Sequence, residues 1–207
     1  MTNESQYIKL YHNVIDTRVC KALIDTYEKL CKEQIEKIQQ LSLCYDKQGN
    51  KLCGACDCQR VDIMEHEEFG ELLNFALSYI QQQIKVYKED CGIVKQQWPQ
   101  KFGFEHLRLK RYLADGIQQH NFHSDIEGLD SAKRFLAIIC YLNDDFEGGE
   151  TSFPNFEYES KVTTGGIIIF PCNWTYLHKG NPIKSGSSKY VLGTFLNFLP
   201  NTAQLPI

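Results

Sequence analysis

The sequence predicts a mainly β domain with flanking helices: a jelly-roll or sandwich core supported by N-terminal helices. Three observations lead there. Long helical patterns are confined to the first half of the chain. From Phe102 onward the segments shorten, fill with β-branched and aromatic residues, and are punctuated by Gly, Asn and Asp. No repeat, low-complexity stretch or linker divides the 207 residues, a length that suits one generous domain. Helical patterns followed by many short strands argue for a β core that closes on itself, with helices against one face. The expected organisation is a single domain over residues 1–207, with 1–100 as the helical support region and 101–200 as the jelly-roll core.

The elements follow in order. The first helix is expected from Thr17 to Gln40, with Asp16 as its N-cap. Val19, Leu23, Tyr27, Leu30, Ile35 and Ile38 recur there at helical spacing. The second runs from Glu67 to Glu89, where Phe69, Leu72, Leu73, Ala76, Leu77, Ile80, Ile84 and Tyr87 make one stripe with Gln and Lys opposite. Strands are expected at Glu105–Leu113, Phe135–Leu142, Ile167–Phe170, Thr175–His178 and Tyr190–Phe198, with a short one after the Asp144–Gly149 turn.

Composition narrows the function classes. Hydrophobic residues make up 43% and charged residues 23%, an ordinary globular balance. No run approaches the roughly 18 apolar residues of a membrane span. Met1–Leu10 is polar and lacks an apolar signal region, so a cytoplasmic location is expected. The net charge is -4. Residues 1–99 and 100–207 are each slightly acidic, which disfavours a nucleic-acid partner gripped through bulk charge.

Of the six His, one stands in a suggestive context: His123-Ser124-Asp125. On an extended strand, residues two apart share a face, so an imidazole and a carboxylate can reach one metal ion. His178, ending an apolar stretch late in the β region, is the candidate third ligand. Two His and one carboxylate leave half of an octahedron open, the arrangement of non-haem Fe(II) oxygenases. Lys189 follows at the head of the next strand, where a buried cation would meet the far end of a dicarboxylate cosubstrate.

The stretch from Arg111 to Phe198 resembles the prolyl 4-hydroxylase-like branch of the Fe(II)/2-oxoglutarate-dependent dioxygenases. Matching pieces, in order, are Arg111-Tyr112, Asp115-Gly116 and His123-Ser124-Asp125. Then come Tyr141-Leu142-Asn143-Asp144, Glu147-Gly148-Gly149-Glu150-Thr151, Phe153-Pro154 and Gly165-Gly166. His178-Lys179-Gly180-Asn181-Pro182, Gly186 and Lys189-Tyr190 complete the set. The resemblance implies a double-stranded β-helix whose outer sheet the two helices buttress. It implies His123, Asp125 and His178 as Fe(II) ligands, and Lys189 as partner of the 5-carboxylate of 2-oxoglutarate, with Tyr112 and Thr151 hydrogen-bonding nearby. It also implies O2 as cosubstrate and ascorbate as a rescue reductant.

On the substrate side the pattern is mixed. Arg134 is kept seven residues before Tyr141. His120 stands where an aromatic is expected three residues before the first ligand. Phe195 replaces a frequent Trp and Asn197 an occasional His. The expectation is hydroxylation of a C–H bond on a protein or peptide side chain, prolyl first, giving succinate and CO2. The alternatives are a nucleic-acid demethylase of the same superfamily and a cupin-like binding module without catalysis.

The nine Cys are expected to be reduced thiols. Cys53, Cys56 and Cys58, with Cys44 upstream, have spacing compatible with structural zinc. Without a second Cys-x-x-Cys pair, ordinary thiols are the favoured reading.

Overall fold

The computed structural model describes residues 6–34, 38–41, 44–45, 51–53 and 58–200. Its strands, in chain order, are β1 (Lys9–Tyr11), β2 (Gln39–Leu41), β3 (Cys44–Tyr45), β4 (Lys51–Cys53), β5 (Cys58–Asp62), β6 (Phe102–Phe104), β7 (Arg108–Tyr112) and β8 (His120–His123). There follow β9 (Arg134–Tyr141), β10 (Phe146–Gly148), β11 (Thr151–Phe153), β12 (Tyr158–Glu159), β13 (Ile167–Pro171), β14 (His178–Gly180), β15 (Ile183–Gly186) and β16 (Lys189–Phe198). The helices are α1 (Thr17–Glu33) and α2 (Gly70–Asp90).

Among the described residues the major sheet has eight strands, in the order β1-β13-β9-β16-β7-β5-β2 with β6 on the far end of β16. Facing it are a four-stranded sheet, β12-β11-β14-β8, and the β10-β15 pair. Every strand pairing is antiparallel, as in a jelly roll.

Strand alternation divides the core into two compartments. On β9, Leu136, Ile138 and Cys140 pack toward the helices, whereas Ala137 and Tyr141 face the barrel interior. On β13, Ile167 and Ile169 join the helix side, and Ile168 and Phe170 the interior. The sheet is therefore covered on both faces, and its strands read as nearly continuous apolar runs. Helix α1 contributes Cys20, Leu23, Tyr27 and Leu30 to the helix-side core, and α2 contributes Ala76, Ile80, Ile84 and Tyr87. Asp16 caps α1 by accepting from Arg18 N at 2.8 Å.

Several expected boundaries move. Helix α1 ends at Glu33 instead of Gln40, and Gln39–Leu41 is the edge strand β2, paired with β5. Ile38 is buried in the same core from outside the helix, so its helical spacing from Leu30 misled. Within the expected Glu105–Leu113 strand only β7, Arg108–Tyr112, has strand geometry; β6 lies before it at Phe102–Phe104, and both pair with β16. Thr175–His178 is mostly a 3-10 turn over Trp174–Tyr176, capped when Asn173 Oδ1 accepts from Thr175 N at 3.0 Å, and strand geometry begins at His178.

One glycine ties the N-terminal segment to the barrel. Gly165 adopts φ +76°. Its carbonyl accepts from Val14 N and Ile15 N, both at 3.0 Å, and a Cβ there would run into the Ile15 carbonyl. Gly165→Ala is expected to cost about 2–4 kcal/mol, combining left-handed strain with the collision. Urea unfolding of the two proteins checks it.

Candidate active site

The two His ligand candidates meet across a strand pair. His178, the first residue of β14, is in register with His123, the last of β8. Asp125 lies two residues beyond β8, on the turn that leaves it. The structure brings the two side chains together, but only His123 is on the strand, so the turn and not a shared strand face orients Asp125. His123 Nε2 and His178 Nε2 lie 3.7 and 3.9 Å from Asp125 Oδ1. All three side chains are buried.

Each ring is held from behind. His123 Nδ1 lies 2.7 Å from the Asn121 carbonyl, and His178 Nδ1 lies 3.0 Å from the Tyr176 carbonyl. A carbonyl can only accept, so both Nδ1 atoms carry the proton and both Nε2 lone pairs face Asp125. Burial pushes the His178 imidazole down to about 4, keeping it neutral and able to ligate at ordinary pH. Asp125 Oδ2 is buried with no hydrogen-bond partner among the described residues. A carboxylate with Oδ1 set against two imidazole nitrogens and Oδ2 without a donor among the described residues fits a divalent cation. Two nitrogens and one carboxylate on one side are the donor set of a mononuclear Fe(II) centre.

Beside this cluster is a chamber of about 50 Å³ lined by Tyr112, Thr151, His178, Asn181 and Lys189. Lys189 is 5% exposed, and its ammonium donates to the Gly149 carbonyl. It also lies 5.3 and 5.8 Å from the ring centres of Tyr141 and Tyr112. Thr151 Oγ1 is hydrogen-bonded to Tyr141 OH at 2.7 Å, and Tyr141 OH to Ser160 Oγ at 2.9 Å. The closed end of the chamber is thus cationic, with hydroxyls fixed around it. Tyr141 joins this network as more than a marker of the turn that follows.

On the other side opens a wider cavity of about 290 Å³. His120, Arg134 and Phe195 line it together with the ligand candidates. His120 stacks on His123 with ring centres 3.8 Å apart, and burial holds it well below the usual imidazole range. A neutral ring there adds no charge beside a metal. Gly193 lines both the chamber and the cavity.

Arg134 is already engaged. Its Nε and Nη2 donate to the two Glu105 oxygens at 2.8 and 2.7 Å, its Nη1 donates to the Asp125 carbonyl at 3.0 Å, and its guanidinium lies 4.1 Å from the Phe195 ring centre. It braces the backbone of a ligand candidate as well as facing the cavity. Asn197 is buried behind the cavity wall and donates to Glu105 at 3.4 Å.

Glu105 is the residue that sequence reasoning missed. Burial alone would raise its carboxyl, yet hydrogen bonds from Arg134 and Arg108 bring it down to about 2. The available signal was that Arg108, expected on a strand, and Arg134, just before one, need an acid between them. A carboxyl lowered on folding stabilises the fold fully above its ordinary value near 4.5, and that gain is lost as pH falls toward 2. Glu105→Gln is therefore expected to cost about 3 kcal/mol at neutral pH. It should also flatten the fall in stability between pH 4.5 and 2, which unfolding titrations at several pH values will read.

The cysteine cluster is only partly visible. Cys56 and the side chains of Cys44 and Cys53 lie outside the described residues. Cys58 is fully buried in the barrel-side core.

Residues 107–197 match the model of the 2OG-Fe(II) oxygenase superfamily. A protein of Acanthamoeba polyphaga mimivirus, provisionally named prolyl 4-hydroxylase, is 34% identical over 101 residues, covering 40% of each chain. This chain therefore spans well under half the length of that relative. The viral collagen prolyl hydroxylase of Paramecium bursaria Chlorella virus-1, solved with 2-oxoglutarate, superposes with TM-score 0.63 at 23% identity, over 93% of this chain and 97% of that one. A Trichoplax adhaerens prolyl hydroxylase in complex with a hypoxia-inducible-factor peptide gives TM-score 0.68 at 13% identity, over 94% and 84%. The fold is shared with these structures.

Proposed function

Residues 107–197 of this chain carry the 2OG-Fe(II) oxygenase superfamily pattern, and on that premise we propose that the protein is an Fe(II)- and 2-oxoglutarate-dependent dioxygenase that hydroxylates a peptide side chain, prolyl first. The observation that carries the reading is the buried Asp125 carboxylate, its Oδ1 3.7 and 3.9 Å from the Nε2 atoms of His123 and His178 and its Oδ2 without a hydrogen-bond partner among the described residues, with the chamber of Lys189 adjoining. When bound, the metal and cosubstrate supply dioxygen activation, with succinate and CO2 as coproducts.

The chain's own residues do the rest. His123, Asp125 and His178 hold the metal on one side. Lys189 meets the distal carboxylate of 2-oxoglutarate, and Tyr112 and Thr151 offer hydroxyls beside it. The Asn121 and Tyr176 carbonyls fix both ligand tautomers. Phe153 and Phe170 pack around His178 at ring-centre distances of 5.5 and 4.8 Å and keep bulk water away. A peptide enters from the wider cavity, past His120 and Phe195. The named neighbours that act on or bind peptides support this choice of substrate. Ascorbate as a rescue reductant belongs to the same proposal.

The test offers proline-rich peptides, a mixed peptide library and methylated oligonucleotides side by side, with Fe(II), 2-oxoglutarate and with or without ascorbate. Succinate release coupled to gain of one oxygen on a peptide is the expected result. Turnover with oligonucleotides alone, releasing formaldehyde, would replace it with demethylation. No iron-dependent succinate under any condition would leave a binding module.

A further inference from the structure

The strand pair that carries the cosubstrate chamber is tied together from its other face. Lys189, the first residue of β16, is directly opposed to Tyr112, the last of β7, and both line the chamber. They are the terminal rung of the β7-β16 ladder, and element ends are where pairing opens first. The next rung is Tyr190 opposite Arg111. Strand alternation turns those two side chains away from the chamber and toward α1.

One carboxylate oxygen joins the two sides of that rung. Glu28 Oε1, on α1, accepts from Arg111 Nη1 at 2.8 Å and from Tyr190 OH at 2.7 Å. Burial and the carboxylate itself hold the Tyr190 phenol above its usual range, so it stays protonated and donates. Hydrogen bonds to a charged acceptor are the short, strong kind. Arg111 also donates from Nη2 to Gln59 Oε1, and Gln59 is its register partner on β5. Tyr27, next to Glu28 on α1, places its ring 5.6 Å from the Arg111 guanidinium and 6.0 Å from the Tyr190 ring, edge to face. The backbone of Tyr190 is anchored in another direction. Its N–H donates to Asn143 Oδ1 at 2.8 Å, and its carbonyl accepts from Leu142 N at 3.0 Å. These bonds fix β16 to the end of β9. The tie from β16 to β7 at this rung runs through Glu28.

We propose that Glu28 is a positioning residue for the cosubstrate: by joining Arg111 to Tyr190 on the helix side, it fixes the separation of Tyr112 and Lys189 one residue away on the chamber side. This deepens the oxygenase reading and rests on it for the identity of the ligand. The groups gathered at the closed end of the chamber come from different strands, Tyr112 from β7, Thr151 from β11 and Lys189 from β16. A carboxylate held between strands loses contacts when the strands part. With the second rung tied, the terminal rung splays only by stretching two charge-assisted hydrogen bonds.

The test measures binding of 2-oxoglutarate to the full, Fe(II)-loaded chain by calorimetry without O2, beside oxalate, which can chelate the metal and does not reach the end of the chamber. Glu28→Ala is expected to weaken 2-oxoglutarate about fivefold to tenfold and oxalate by less than about twofold. Glu28→Gln keeps an acceptor oxygen in place and should restore 2-oxoglutarate to within about twofold of wild type. Asp25→Ala, which removes an exposed acid of the same helix paired with Lys21, is the control and should change neither ligand. Thermal melts separate lost positioning from lost folding. If Glu28→Ala does not melt cooperatively, Tyr190→Phe carries the test, since it drops one of the two bonds and keeps the ring; a rise in Kd of about threefold is expected there. Wild-type affinity for 2-oxoglutarate in a folded Glu28→Ala protein overturns the inference. So does an equal loss of oxalate and 2-oxoglutarate, or a Glu28→Gln protein as weak as Glu28→Ala. Succinate release measured in parallel lets the two levels fail separately. A Glu28-dependent affinity without iron-dependent succinate keeps the tie and removes the oxygenase reading, whereas succinate release with an affinity blind to Glu28 does the opposite. A wild type that binds no 2-oxoglutarate removes both.

Discussion

Replacing Asp125 with Ala should reduce iron-dependent turnover of 2-oxoglutarate below about 1% of wild type, and His123→Ala and His178→Ala should each do the same. The three side chains are the buried donors that face one another, at 3.7 and 3.9 Å between the imidazoles and the carboxylate. Removing one leaves two ligands on a labile ion whose affinity in such sites depends on ligand number and geometry. The loss should therefore appear first as iron occupancy, measured by metal analysis after desalting, and then as activity. Asp125→Ala also removes the only carboxylate of the set, so it should bind metal worst. His12→Ala is the control. That ring is exposed and bonds only the Thr163 hydroxyl among the described residues, at 2.7 Å. If any one ligand variant retains full activity with iron added, that residue's assignment fails.

Lys189→Ala should raise the concentration of 2-oxoglutarate needed for half-maximal turnover by ~10²–10³-fold while leaving iron occupancy near wild type. The ammonium is 5% exposed, donates to the Gly149 carbonyl and lies beside the Tyr141 and Tyr112 rings at the end of the chamber. In the proposed complex the distal carboxylate pairs with this buried cation, and losing one member of a buried pair typically costs about 3–5 kcal/mol. The effect should fall on KM for the cosubstrate rather than on metal binding, because the chamber end and the ligand cluster are separate walls of the same space. An unchanged KM would pass the role to another cation, Lys110 being the one that also lines the chamber.

Much of this site is legible in the chain because its parts are local. His123 and Asp125 are two residues apart, and strand alternation alone brings Lys189, Phe195 and Asn197 of β16 to one face. The pairing of His178 with His123 joins residues far apart in sequence, and there the motif order supplied what periodicity could not. What stayed hidden depends on cross-strand neighbours. Glu105 gains its importance from Arg134, through a pairing no single segment encodes. The boundary of α1 failed for a related reason, since Ile38 satisfies the same core from outside the helix. Burial reports which residues meet water, not which backbone carries them there.

Strand β16 works as a graduated rod through the molecule. Its inward positions run from Lys189 past Gly193 to Phe195 and Asn197, about 27 Å at a strand rise near 3.4 Å per residue. The cosubstrate end and the substrate end are thus marks on a single backbone. One inserted or deleted residue between them would turn every later mark to face the helices. Point substitutions at one end leave the other in place. Gly193 sits at the midpoint, bordering both spaces, and an added Cβ would meet nothing closer than the Ile138 carbonyl at 4.0 Å. Its bareness answers no packing demand. It sets the bore of the passage, so the gauge of side chain that can reach the metal is adjustable by one residue without disturbing the rod that carries it.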